Sequence, residues 1–331
     1  MSTVDAIQPE TEADTLTTDD GVVIAKSVII FRRFMRNKTA VAGLALFLAL
    51  TVFSLVGQFL TPWTKNDIDP AFIGEGPSAE HFFGTTQAGV DLYVLMVEGI
   101  RTSILIGLIV GVGSMLVAAV YGCVMAFYGG KVDKVMLFIL EALIMMPALL
   151  VVAVVTGGNG GDFKDKIPSW LLLTVVLLIF GWMGAARLIR SISMSLIERD
   201  YVKAARYMGV PTWRIVWKHL IPNIGSLLVL EITRGVTLAI LSEVAYSFIG
   251  IGIKPPDMSL GILIGQASQQ VSSFPWMFWF PLLAMFALTG SMAMMNDGLR
   301  DAFDPSSSSV GKARKSRKDR KDRKNTVEAA A

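Results

Sequence analysis

Apolar residues in this chain come in long blocks. Six of them, at roughly 40–60, 102–128, 135–156, 170–189, 224–249 and 276–295, approach the ~20 residues a helix needs to cross a ~30 Å hydrocarbon core. Six membrane-spanning helices are therefore predicted, and the fold class is all-α. Between the fourth and fifth blocks the pattern changes. From Glu198 to Asn223 the chain is charged and amphipathic, with Tyr201, Ala204, Ala205 and Met208 at i, i+3, i+4 and i+7 on one face of a short helix. Gly209 is placed to end that helix in a left-handed conformation, and Pro211 suits the first turn of another. Trp213, Val216, Trp217 and Leu220 repeat the spacing, Arg214 and Lys218 lie on the other side, and Pro222 is expected to break the second helix.

Composition supports a polytopic membrane protein. Hydrophobic residues make up 53%, charged residues only 17%, and the mean hydropathy is +0.56, against about 45–50% apolar and about 25% charged in soluble domains. A single cysteine, Cys123, excludes an intrachain disulfide, and with only His81 and His219 the chain has no Cys/His zinc set. The net charge of +3 matters less than where the basic residues fall. About 24 of the 30 Lys and Arg lie before the first span, at Lys131 and Lys134, between Arg187 and Lys218, or in the C-terminal tail. With an even number of spans those segments share one side, which the positive-inside bias makes the cytoplasm. Both termini are expected there. Residues 1–20, acidic and Thr-rich, read as a disordered lead, not a signal peptide, and the basic tail 306–331 reads as disordered.

The remaining features sort by how much they imply. The longest outer segment, 61–101, carries Asp67, Asp69, Glu75, Glu80, Asp91 and Glu98, and is either a docking face for an extracytoplasmic partner or a solvated connector. The glycine-rich run at 157–161 is an outer turn, since no Gly-Lys-Ser/Thr end follows, and Gly311-Lys312 fails the phosphate-loop pattern too. The chain is thus not expected to bind ATP. Gly107 and Gly111, followed by Ala118, Gly122 and Ala126, let a helix approach closely, and packing inside this subunit is favoured over a dimer seam. Glu141, Glu231, Arg234 and Glu243 fall within apolar spans, where each would cost about 2.5–3.5 kcal/mol unless shielded. Glu231 and Arg234 are spaced to pair, and Glu141 and Glu243 are expected as buried contacts. Pro281 should kink the last span.

The run Lys203-Ala204-Ala205, then Gly209, then Ile221-Pro222 resembles the "EAA…G…LP" cytoplasmic loop of permease subunits in binding-protein-dependent ABC importers. Further stretches resemble the C-type permease of the dipeptide, oligopeptide and nickel branch: Arg33-Phe34-Met35-Arg36-Asn37-Lys38, His81-Phe82-Phe83-Gly84-Thr85 and Gly129-Gly130-Lys131-Val132-Asp133. So do Ser247-Phe248-Ile249-Gly250-Ile251-Gly252 with Pro255-Pro256, and Asp297-Gly298-Leu299-Arg300-Asp301. The likeness spans nearly everything from Phe31 to Pro305, and departs where the family's usual acid is Lys203.

The resemblance implies a type I ABC importer permease fold in a bacterial or archaeal cell (inner) membrane: a cytoplasmic segment 1–38, a permease domain 39–305 with its coupling loop at 198–223, and the tail. It implies that Tyr201, Lys203, Ala204, Ala205, Met208, Gly209 and Trp213 couple to an ATPase, and that Glu141 and Glu243 lie near the gate. It further implies a second homologous permease, two ATPase subunits that hold ATP and Mg, an extracytoplasmic solute-binding protein and the lipid bilayer as partners. No nucleic acid, cofactor, metal site or catalytic residue of its own is implied. The substrate is expected to be an oligopeptide or dipeptide, with nickel or another small solute as the alternative. An ion-coupled secondary transporter is the rival class, against which stand the absence of inverted halves and the amphipathic loop. A membrane-embedded enzyme is a weaker rival, since no nucleophile–base or metal-ligand constellation falls in the spans.

Overall fold

The computed structural model of the chain describes residues 15–17, 23–157 and 167–303. Helices dominate: α1 Lys26–Arg36, α2 Lys38–Val56, α3 Leu92–Tyr128, α4 Gly130–Ile144, α5 Ala148–Gly157, α6 Ser169–Gly181, α7 Met183–Ile197, α8 Asp200–Tyr207, α9 Thr212–Asn223, α10 Gly225–Phe248, α11 Leu260–Ala267 and α12 Pro275–Phe303. Among the described residues four stretches are singly long and apolar enough to cross a membrane, and six are if two bent pairs each count as one span. Those pairs are α4 with α5, bent by 65°, and α9 with α10, bent by 74°. The first bend falls at Met145-Met146-Pro147, where proline disfavours helix in the residue before it.

The described chain divides into two compact units. Of the described residues, the smaller holds 15–17, 23–41 and 297–303. In it Thr15–Thr17 pairs antiparallel with Val23–Ala25, so over residues 15–17 the leading segment departs from the disorder its composition predicts. Asn37 caps α2, its Oδ1 accepting from the backbone N–H of Thr39 and Ala40 at 3.1 and 3.3 Å, while its Nδ2 donates to Asp301 Oδ2 at 3.0 Å. Two of the motifs read from sequence therefore meet. The glycine run from 158 and the tail from 304 lie outside the described residues.

The larger unit, 42–296, is built around α3, which begins ten residues before the predicted span. Asp91 caps it, accepting from Tyr93 N at 2.7 Å and Val94 N at 3.2 Å. Glu98 and Arg101 lie in the added turns, and each would be costly in lipid alone. Here Glu98 pairs with Lys65 at 2.6 Å, and Arg101 donates to Ser54 O at 2.7 Å and Gln58 Oε1 at 3.0 Å. The small residues on α3 pack within the subunit, as favoured above. A Cβ added at Gly107 would lie 2.7 Å from Ile240 of α10, and one at Gly122 would lie 2.7 Å from Ala186 O of α7. Helix α11 was not anticipated, since eight residues cannot span. It is buried along most of its length, with Ser259 Oγ accepting from Ile262 N at 3.3 Å as its cap. Helix α12 runs through Pro281 as one element.

Candidate functional site

The loop between α7 and α10 folds as two short helices around Gly209, whose φ is +74°. Val210 N donates to Ala205 O at 3.1 Å and Met208 N to Ala204 O at 3.0 Å, bonds that close a helix over a left-handed residue. An added Cβ at Gly209 would meet nothing within 4 Å, so the demand for glycine comes from the backbone angle alone.

The faces differ from the predicted ones. In α8, Val202 and Ala205 are buried, whereas Tyr201, Ala204 and Met208 are exposed together with Tyr207. Ala205 is thus a core contact, not part of an outward surface, because its methyl lies on the border between two apolar stripes and follows Val202 inward. In α9, Ile215, Val216 and Leu220 turn inward while Trp213 and Trp217 face out. A π-helical turn at Val216–Leu220 causes this split, since its wider repeat brings Leu220 back to the inner face five residues after Ile215. Pro222, expected to break the helix, sits inside it. The ladder has already shifted there, with Ile221 N donating to Val216 O.

The inward side chains join one core with Met125 and Phe127 of α3, Leu140 of α4 and Ile189 and Leu196 of α7. Arg206 lies over the Phe127 ring at 5.4 Å, a further tie to α3. Facing outward are Tyr207 at 89% exposure, Met208 at 75% and Trp213 at 62%. Large apolar side chains so exposed, on elements rooted in the core, mark a surface that another molecule covers. Tyr207 was missed in the sequence because it lies off the 201/204/208 stripe.

Lys203, the departure from the family pattern, pairs within the chain with Glu198 at 2.9 Å. Its ammonium holds the Glu198 carboxyl below the usual carboxylate range, chiefly through their hydrogen bond. The position is therefore neither unpartnered nor in need of an acid from outside.

Glu231 and Arg234 pair as spaced, at 3.6 Å. Glu141, expected as buried, is 48% exposed and lies 3.7 Å from Arg187; helix α4 packs only one side, and the pair spreads along its edge. Eight residues earlier on α4, Asp133 takes a bidentate bond from Arg190 at 2.5 Å, so two ion pairs link α4 to α7. Glu243 is fully buried, accepting from Ser103 Oγ at 2.8 Å, Ser247 Oγ at 2.9 Å and Ser259. Those hydroxyls shield a carboxylate that an apolar core would expel, and they fix α10 to α3 and to the head of α11.

The segment before α3 is a built structure. His81 is buried, with Nδ1 2.7 Å from Asp91 Oδ2 and Nε2 3.5 Å from Asp69 Oδ2, between the rings of Trp63 and Phe72. Thr85 Oγ1 donates to Phe72 O, and Trp276 Nε1 donates to Thr85 O at 3.2 Å. Asp91 therefore points inward, and of the acids in this segment it is neither a docking contact nor part of a solvated connector.

These features define a polytopic helical membrane protein that presents an apolar surface on a rigidly rooted loop. Residues 103–307 match the family described as "Binding-protein-dependent transport system inner membrane component", and residues 28–77 match "N-terminal TM domain of oligopeptide transport permease C". The chain belongs to the former family: it is a permease subunit of an ABC importer, a multi-pass inner-membrane protein. Similar proteins include an oligopeptide transport system permease protein OppC of Mycobacterium tuberculosis (strain ATCC 25618 / H37Rv), 37% identical over 287 residues that cover 86% of this chain and 97% of that one. A dipeptide transport system permease protein DppC of Bacillus subtilis (strain 168) is 32% identical over 276 residues, covering 83% and 84%. A chain of the MetNI methionine ABC transporter in an inward-facing conformation superposes with a TM-score of 0.45 at 15% identity, over 62% of this chain and 96% of that chain.

Proposed function

We propose that this permease carries peptides, pairs with a second, similar permease to enclose the pathway, and is driven by two separate ATPase subunits docked on the 198–223 loop. An extracytoplasmic binding protein delivers the substrate, and ATP and Mg are held by the ATPases and not by this chain. The observation that carries the reading is the exposed Tyr207, Met208 and Trp213 surface, whose supporting helices share one core with α3 and α7. A push on that surface reaches the spans directly. The peptide substrate rests on the names of the relatives, an oligopeptide and a dipeptide permease. The test is uptake by proteoliposomes holding the assembled complex and the binding protein. Uptake is expected to need ATP and both ATPases, and the isolated chain to bind no nucleotide. Uptake driven by an ion gradient without the ATPases would refute the proposal.

The distribution of basic residues supports an orientation with both termini and Lys203 in the cytoplasm. Single cysteines on a Cys123→Ala background are expected to react with an impermeant thiol reagent in sealed cells at position 66 and at position 159, which lies outside the described residues, and not at position 203. Labelling at 203 would reverse the topology.

A further inference from the structure

The pair Glu231–Arg234 lines a cavity. About 380 Å3 in volume, it has Gly111 and Ser114 of α3 as its floor, Gly181 and Gly184 on one wall, and Glu231 and Arg234 on the other. A second cavity of about 300 Å3 shares Ser114, Gly181 and Gly235 with it and continues toward Ser242 and Tyr246. At 1.5 Å per residue Glu231 and Arg234 stand about 9 and 14 Å into α10, well inside a ~30 Å core.

Three observations give this groove a polar purpose. Arg234 is 62% exposed and Glu231 only 17%, so the cation faces the opening and the acid stands behind it. Their 3.6 Å contact joins one guanidinium nitrogen to one carboxylate oxygen, and among the described residues Glu231 is the ion-pair partner of Arg234, so one contact engages only part of a five-donor fork. Ser114, buried in the floor, has an Oγ with no hydrogen-bond partner among the described residues. An apolar side chain would serve packing better at that position. Gly184 adds the fourth element of the geometry: a Cβ there would meet nothing within 4 Å, so the wall is backbone and open space. We propose that this groove is a way station for the peptide in transit, in which Arg234, held by Glu231, binds the C-terminal carboxylate. A planar fork suits a carboxylate better than any other group a peptide offers. The inference rests on the peptide reading above.

The test uses the reconstituted importer with its binding protein, and compares trialanine with trialanine amide, each normalised to its own wild-type uptake. Arg234→Gln is expected to lower trialanine uptake by about tenfold, the worth of a charge-assisted hydrogen bond, and to change amide uptake by less than about twofold. Gly184→Phe, whose Cβ would meet nothing within 4 Å and whose ring adds bulk to the wall of the groove, is expected to stop both. Equal loss of both peptides in Arg234→Gln, with or without loss of assembly, would make the residue a structural or permease–permease contact and overturn the proposal. Undiminished uptake in either variant would overturn it too. A wild-type complex that carries neither peptide would instead refute the substrate reading, and this proposal with it.

Discussion

Aspartate at both Tyr207 and Met208 is expected to abolish ATP-driven uptake while leaving the subunit folded and inserted. Neither side chain contributes to the core, since both stand almost free in solvent, so their loss costs the fold little. At a docked surface the same change is severe. Buried aromatic anchors contribute about 2–4 kcal/mol each to association, and a carboxylate in a desolvated interface adds a penalty of its own. Co-purification of the ATPase subunits should therefore fall together with uptake. Gly209→Val tests the same surface through the backbone: a β-branched residue at φ +74° carries strain of about 1–2 kcal/mol or more, enough to re-aim α9 without unfolding α10. Lys203→Glu would set two acids, Glu198 and Asp200, against a third and disturb the start of α8, where the wild-type pair stands at 2.9 Å. Retained ATPase association and uptake in the Tyr207/Met208 double variant would end the docking role assigned to this surface.

Much of this was legible in the sequence, and the exceptions have physical causes. The helix–glycine–helix break at Gly209 was, because a left-handed residue flanked by amphipathic periods has few other readings. Which apolar stripe of α8 turns inward was not. A helix with one apolar face on its own core and another exposed carries two apolar stripes, and sequence alone cannot say whether Val202 or Tyr201 leads inward. The π-helical turn in α9 was equally hidden, since a one-residue shift in repeat leaves the composition unchanged. The start of α3 was obscured by Glu98 and Arg101, whose partners Lys65 and Ser54 lie far away in the chain. Burial of Glu243 was foreseeable, but the identity of its hydroxyl partners was not, since Ser103 is 140 residues distant. By contrast, the Glu231–Arg234 pair and the inward use of Gly107, Gly111 and Gly122 needed only helical spacing.

Gly111→Leu is expected to destabilise the subunit more than any surface change in the 198–223 loop. A Cβ at Gly111 would lie 2.5 Å from Val236 Cγ2, 2.7 Å from Val236 N and 2.9 Å from Val236 Cα. Two of those three atoms are backbone, so no rotamer of Val236 relieves the overlap. The helices must separate where they cross. The facing residue one position before is Gly235, whose own added Cβ would lie 3.4 Å from Gly111 Cα, so the crossing is built on absent side chains from both sides. Overpacking of this kind costs about 1–3 kcal/mol, occasionally more, and a rigid α10 spreads the displacement toward Glu231, Arg234 and Glu243. Thermal unfolding of the detergent-solubilised subunit measures the effect, with Gly290→Leu as the control, because nothing lies within 4 Å of a Cβ there. Adding Val236→Ala to Gly111→Leu should restore little, since it removes the methyl contact and leaves the backbone ones. A Gly111→Leu subunit that melts with the wild type, or a full rescue by Val236→Ala, would show that α3 and α10 do not meet at this crossing.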